Sequence, residues 1–191
     1  MSGADISSQL EQLKRDVDEI KSRNQISEVL YAAARAADRA DQELQASCFH
    51  PDGEDYRGVA NGPFMLCVDT LGKWAVTQSR HTVSNISIKF LTPDSAQVET
   101  YVDAFHFWGT DVKGGGRFEF IQARYLDRFE RRNGQWKIVR RMTIWDECWM
   151  EGEKPSWMDG VAGEYVKENK FMRGTRDRRD PYYTFKLPEG F

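Results

Sequence analysis

The chain has 191 residues, 40% of them hydrophobic and 13% aromatic, which is enough for one domain with a sizeable core and too little for two full ones. Its formal net charge of −3 comes from interspersed charges of both signs, so no basic face is offered to nucleic acid or to an anionic membrane. Cys48, Cys67 and Cys148 lack any Cys-x-x-Cys spacing, which argues against a disulfide framework or a zinc site. No apolar run approaches the roughly 18 residues of a membrane span, and the polar N-terminus has no signal core, so a reducing, cytoplasmic setting is expected.

Residues 5–23 place Ile6, Leu10, Leu13, Val17 and Ile20 at alternating four- and three-residue steps, the spacing of a helix with one narrow apolar seam. Two heptads are too few for an independent coiled coil. The seam is therefore expected to pack on the domain or on another subunit, and a homodimer or homotrimer is the expected assembly. Asn24 reads as a break, dividing an N-terminal helix (1–23) from a main domain (24–149). A second helix over 25–38 repeats Ile26, Val29, Leu30, Ala33 and Ala37 on one stripe, with Tyr31, Arg35 and Asp38 beside it. A short helix follows over 41–47, then a turn and a brief strand over 54–57. Asn61-Gly62-Pro63 opens another helix, with Pro63 where its missing N–H costs nothing, and that helix is expected to end near Gln78.

After His81 the periodicity turns extended, with a strand over 82–90 and long strands over 96–108, 117–132 and 135–149. Asn133-Gly134 is a two-residue hairpin signal, because both positions tolerate positive φ. Counted from that turn, Phe129 pairs with Ile138, Asp127 with Arg140 and Tyr125 with Met142 on a mostly apolar face. Asp127 and Arg140 are then a candidate buried ion pair. Gly114-Gly115-Gly116 has no following Lys-Ser or Lys-Thr and is a connection, not a phosphate loop. From Met150 the pattern dissolves into Gly, Pro and charge with interspersed Trp157, Tyr165, Phe171, Tyr182, Tyr183 and Phe185. This tail (150–191) is expected to wrap the domain, cover a pocket mouth or reach a neighbouring subunit.

Asp38 at a helix end and His81 at the start of a strand sit where scaffolds display chemistry. A carboxylate bonded to one imidazole nitrogen fixes the tautomer and makes the other nitrogen a base near neutral pH. The alternative is that Asp38 caps helix turns and His81 is a core histidine. His50, His81 and His106 show no close ligand spacing, so no metal site is expected.

Helices followed by a bent antiparallel sheet with a long final hairpin describe an α+β cone. The segments Ala36-Ala37-Asp38-Arg39-Ala40-Asp41, Asp55-Tyr56-Arg57, Ser79-Arg80-His81-Thr82 and the hairpin 129–138 together resemble the nuclear transport factor 2-like superfamily, in its SnoaL-like and scytalone dehydratase-like branches. The resemblance implies a pocket inside the cone in which Asp38 holds a catalytic His81, Tyr56 polarises the substrate and His106 comes from the following strand. Ala37 stands where those dehydratases carry a second pocket tyrosine and Tyr125 where they carry an amide, which implies a different substrate. Tyr31, Tyr125, Arg140 and Trp145 are candidate substrate contacts, Arg140 as a stabiliser of negative charge. The resemblance thus implies a cofactor-independent lyase that eliminates water, formaldehyde or halide from a hydrophobic aromatic or polycyclic small molecule. An isomerase of the same fold, or a ligand-binding or protein-interaction cone without chemistry, is the alternative.

Overall fold

The computed structural model describes residues 3–58, 61–66, 76–109, 117–150, 172–173 and 181–185. Helix α1 (Gly3–Arg39) runs about 55 Å without interruption. The break expected at Asn24 does not occur. One exposed Asn costs a helix only about 0.7 kcal/mol or less, and the good helix formers on both sides carry it through. Ile26, Leu30, Ala33 and Ala36 are buried from α1. The helix ends in a Schellman turn, in which Asp41 N–H donates to Ala36 O at 2.9 Å and Ala40, at φ 50°, donates to Ala37 O at 3.4 Å. Asp41 then caps α2 (Gln42–Ser47) by accepting from Leu44 N–H at 2.9 Å.

Among the described residues seven strands follow: β1 (Phe49–Tyr56), β2 (Asn61–Pro63), β3 (Val76–Thr92), β4 (Ser95–Trp108), β5 (Phe118–Arg132), β6 (Gln135–Met150) and β7 (Met172–Arg173). The sheet order is β2-β1-β6-β5-β4-β3, with β7 beside β6. Strands β3 to β6 form an antiparallel meander, and β1 and β7 both lie parallel to β6. The sheet curls without closing, and with the N-terminal helix it makes the expected α+β cone. The helix expected to end near Gln78 is corrected at its C-terminal end: residues 76–78 already belong to β3, so His81 lies inside a strand. Residues 67–75 of that reading lie outside the described residues.

The core lies between α1 and the inner face of the sheet, where Ile26, Leu30 and Ala33 meet Phe49, Phe64, Ala96, Val98, Phe129, Trp136 and Ile138. On the outer face Leu126, Met142 and Ile144 form a smaller cluster covered by Tyr56 and Phe185. Phe185 follows the short helix α3 (Pro181–Thr184), so this part of the tail docks on the outside of the sheet, while β7 of the same tail pairs with β6. Trp157, Tyr165 and Phe171 lie outside the described residues.

The final hairpin carries a correction with consequences. Phe129 pairs with Ile138 as the Asn133-Gly134 turn dictates, but the register then shifts and Arg128 pairs with Arg140. The extra residue on β6 is Val139, a bulge, and the side chains from Arg140 to Trp145 change face, until a second shift between Gln122 and Ala123 reverses the change. Asp127 therefore meets Arg141, not Arg140, and Tyr125 meets Thr143, not Met142. The Arg141 guanidinium donates to both Asp127 oxygens, at 2.8 and 2.7 Å, with both residues buried. Burial pushes the Asp127 carboxyl above its ordinary range. Burial also opposes the charge on Arg141, yet the facing carboxylate outweighs it and holds the guanidinium protonated.

Candidate active site

Asp38 sits in the last turn of α1, where the negative end of the helix dipole disfavours a carboxylate. The cost is offset by three donors on one oxygen. Asp38 Oδ1 accepts from His81 N–H at 2.9 Å and from Ser79 Oγ at 3.2 Å, and lies 2.7 Å from His81 Nδ1. The strand thus holds the carboxylate with its backbone as well as with the imidazole. Burial raises the Asp38 pKa, but His81 and Ser79 outweigh it and hold the carboxyl below its ordinary value. Burial drives the His81 pKa down, more than Asp38 raises it, and the charges of His106 and Arg57 act with burial. The two directions agree on one resting state, an Asp38 carboxylate beside a neutral imidazole that donates from Nδ1. That leaves Nε2 as the basic atom.

A second pair stands beside the first. His106 on β4 faces Glu119 on β5 in direct cross-strand register, and His106 Nδ1 lies 2.8 Å from Glu119 Oε2. Glu119 is buried, and its other oxygen accepts weakly from Cys148 Sγ at 3.7 Å. Burial, and then the Glu119 charge, push the Cys148 thiol well up, so it stays protonated as a donor. The His81 and His106 rings are 5.4 Å apart between centroids. Two imidazoles at that distance resist being charged together.

A cavity of about 380 Å³ opens at this end of the sheet, lined by Asp38, Gln78, Ser79, Arg80, Phe105, His106, Phe107 and Phe118. That is the size range of small-molecule sites. Phe105 packs on Phe120 and Phe107 on Phe118, with ring centroids 4.6 and 5.0 Å apart, which gives the cavity an aromatic rim.

The remaining expected residues are dispersed. Tyr125 faces the cone interior, its hydroxyl pKa raised by burial and its ring 3.9 Å below the Arg141 guanidinium. Trp145 shares that face through its pairing with Ala123 and donates from Nε1 to Arg57 O at 3.2 Å. Tyr56 is not brought to Asp38 and His81. It pairs with Met142 and packs in the outer cluster, because Asp55 takes the inward position opposite Arg141. Arg140 is half exposed and reaches Glu54 at 3.2 Å, also away from the pair. Tyr31 is 39% exposed on α1. The third histidine, His50, is buried with Nε2 3.0 Å from Glu130 O, a structural contact between β1 and β5.

Three residues near the pairs escaped the sequence reading: Ser79, Glu119 and Arg57. Ser79 was visible in the Ser79-Arg80-His81 segment, since alternate strand residues share a face. Glu119 was not, because the long connection between β4 and β5 hides which residue faces His106. Arg57 pairs with Asp55 and lowers the His81 pKa; only the inward position of Asp55 reveals it.

The family model for the SnoaL-like domain matches residues 18–142. A comparison with curated protein sequences finds no significant match. Among solved structures, the chain is similar to a provisionally assigned scytalone dehydratase of Novosphingobium aromaticivorans, at 20% identity and a TM-score of 0.63 over 74% of this chain and 95% of that one. It is similar also to a hexachlorocyclohexane dehydrochlorinase of Novosphingobium barchaimii, at 19% identity and a TM-score of 0.65 over 72% and 94%. A protein of Kribbella flavida adds a TM-score of 0.62 at 17% identity over 70% and 95%. These likenesses are ones of fold, and with the family model covering well over half of the sequence, this chain belongs to the SnoaL-like domain family.

Proposed function

We propose that the protein is a cofactor-independent lyase that eliminates water, formaldehyde or halide from a hydrophobic aromatic or polycyclic small molecule. One observation carries this reading: two histidine–carboxylate pairs whose imidazoles lie 5.4 Å apart, with Asp38 and His106 in the lining of a cavity that also carries Phe105, Phe107 and Phe118. His81, held by Asp38, takes a proton from carbon, or from a hydroxyl when formaldehyde is released. When carbon is deprotonated, the C–H electron pair forms the new C=C bond as the leaving group departs; when a hydroxyl is deprotonated, the O–H pair forms the C=O of formaldehyde, the C–C bond breaks, and its pair forms the C=C bond as an oxygen on the adjacent carbon departs. His106, held by Glu119, protonates the departing oxygen or pairs with the departing halide. Burial keeps His81 neutral, with its one proton on Nδ1 toward Asp38, which leaves Nε2 free to take the substrate proton. General acid–base catalysis of this kind supplies about 10²- to 10⁴-fold, and the remainder must come from positioning in the cavity.

The structural similarity to a dehydratase and a dehydrochlorinase supports elimination chemistry without choosing the leaving group. The spacing of the two imidazoles would serve an isomerase as well, with one ring returning the proton the other removed. A ligand-binding cone without chemistry has no use for two partly buried histidine–carboxylate pairs. Incubation with lignin-like diaryl compounds, steroids and chlorinated cyclic compounds, with products weighed by mass spectrometry, distinguishes these. Loss of water, formaldehyde or hydrogen chloride is the expected result. A product of unchanged mass identifies an isomerase, and no turnover of any compound removes the enzymatic reading.

Glu119→Gln tests the second pair. The amide still fills the space and accepts from His106 Nδ1, but it removes the negative charge beside that ring. We expect turnover to fall by about 10-fold with little change in KM. Unchanged turnover in this variant would leave His106 as a packing residue.

A further inference from the structure

Every residue from 5 to 21 of α1 is exposed. The helix first touches the domain where Arg131 donates to both Asp18 oxygens, at 2.9 and 3.1 Å, and Arg23 lies over Phe90. The preceding turns project from the cone as an arm roughly 25 Å long. Short isolated helices are marginal in water, and most helical stability comes from packing an apolar face. The apolar face of this arm is bare, with Ile6, Leu10, Leu13, Val17 and Ile20 between 40% and 66% exposed.

The arm cannot bury that face on its own domain. At about 100° per residue, the buried Ser22, Leu30 and Ala33 all lie within about 40° of the direction of Ile26. The five exposed residues lie about 120° to 200° from it. One straight helix cannot turn both faces to the same cone, so the seam needs a second surface.

We propose that the arm pairs in parallel with the arm of a second copy of this chain, as a short two-stranded coiled coil. The heptad places Leu10 and Val17 at a, and Ile6, Leu13 and Ile20 at d. Asn24 falls at the next a position, is exposed, and in that place favours two strands in register. The flanking charges select the direction. Asp16 is at g and Lys21 at the e position five residues on, so a parallel pair sets Asp16 against Lys21 of the other copy twice. An antiparallel pair sets Asp16 against Asp16 and Lys14 against Lys14. The Asp16 carboxylate accepts from Gln12 Nε2 at 2.7 Å, which leaves its charge in place for the contact. With the cones on the outer sides of the two helices, the pair closes on a two-fold axis as an isologous dimer.

Sedimentation equilibrium on the full chain should show a dimer. In Leu10→Asp/Leu13→Asp the dissociation constant should rise by about 100-fold or more, because each unpaired carboxylate loses water in the seam. Both positions are exposed in the single chain, so the circular dichroism of the cone should persist. Val17→Cys should give a disulfide-linked dimer under mild oxidation where the parent chain gives none, since each a position meets its own copy in a parallel pair. A monomeric or trimeric parent, or a dimer indifferent to the double substitution, overturns the proposal. So does cross-linking that appears only in a mixture of Leu13→Cys and Val17→Cys chains, the mark of an antiparallel pair.

Discussion

Asp38→Asn is expected to lower turnover by about 10²-fold or more while the protein remains folded. The amide oxygen can still accept from His81 N–H and Ser79 Oγ, now made at 2.9 and 3.2 Å, so the strand stays anchored to the helix end. What is lost is the charge beside His81 Nδ1 and the certainty of its tautomer, since an amide can donate as well as accept. Asp38 opposes the burial that lowers the His81 pKa, so its neutralisation lowers that pKa further. The wild-type acid limb should fall below the ordinary imidazole value of 6.5, and the variant's limb should fall lower still. The same shifts set the sign for stability. Both folded-state values are depressed, so the unfolded chain binds more protons and stability is lost as pH falls, first below the ordinary value of 6.5 for His81 and then below 3.8 for Asp38. Steady-state kinetics against pH, beside a thermal melt, decides the matter. Full activity in Asp38→Asn removes the proposed base, and a loss of activity that merely follows a loss of folded protein assigns Asp38 a structural role.

The largest stability effect is expected at Asp127. Asp127→Ala leaves the Arg141 guanidinium without its partner at a position only 4% exposed, and breaking a buried pair by removing one member costs about 3–5 kcal/mol. Denaturant unfolding should show a midpoint shift of that size. The converse substitution is informative, because Asp127→Leu/Arg141→Met removes both charges together and should recover most of the loss. Arg141 also lies over the rings of Phe49 and Tyr125, and methionine keeps part of that apolar packing. If Asp127→Ala costs less than 1 kcal/mol, the carboxylate is not the partner that holds Arg141. Arg140→Ala is the internal control, since its half-exposed pair with Glu54 should contribute about 1 kcal/mol or less.

Arg140 and Arg141 also show where the amino-acid sequence stops deciding. By itself it determined the fold class, the four long strands and the hairpin at Asn133-Gly134, because periodicity and turn chemistry are local. It also brought Asp38 and His81 forward as a pair, since the chain has only three histidines and Asp38 fell at a helix end, although His81 proved to lie inside a strand. Register is different. The bulge at Val139 answers to the curvature of the cone and to the burial of Arg141 against Asp127, neither of which a turn-based count can see. One extra residue sent Arg140 outward and brought Arg141 in. On β1, the inward place of Asp55 opposite Arg141 sent Tyr56 to the outer face. The seam of residues 6–20 was legible, but its isolation was not, because only the unbroken helix through Asn24 places that seam opposite the buried face. Glu119 likewise emerged only from the pairing of β4 with β5, where tertiary register, and no spacing in the chain, sets a carboxylate against His106.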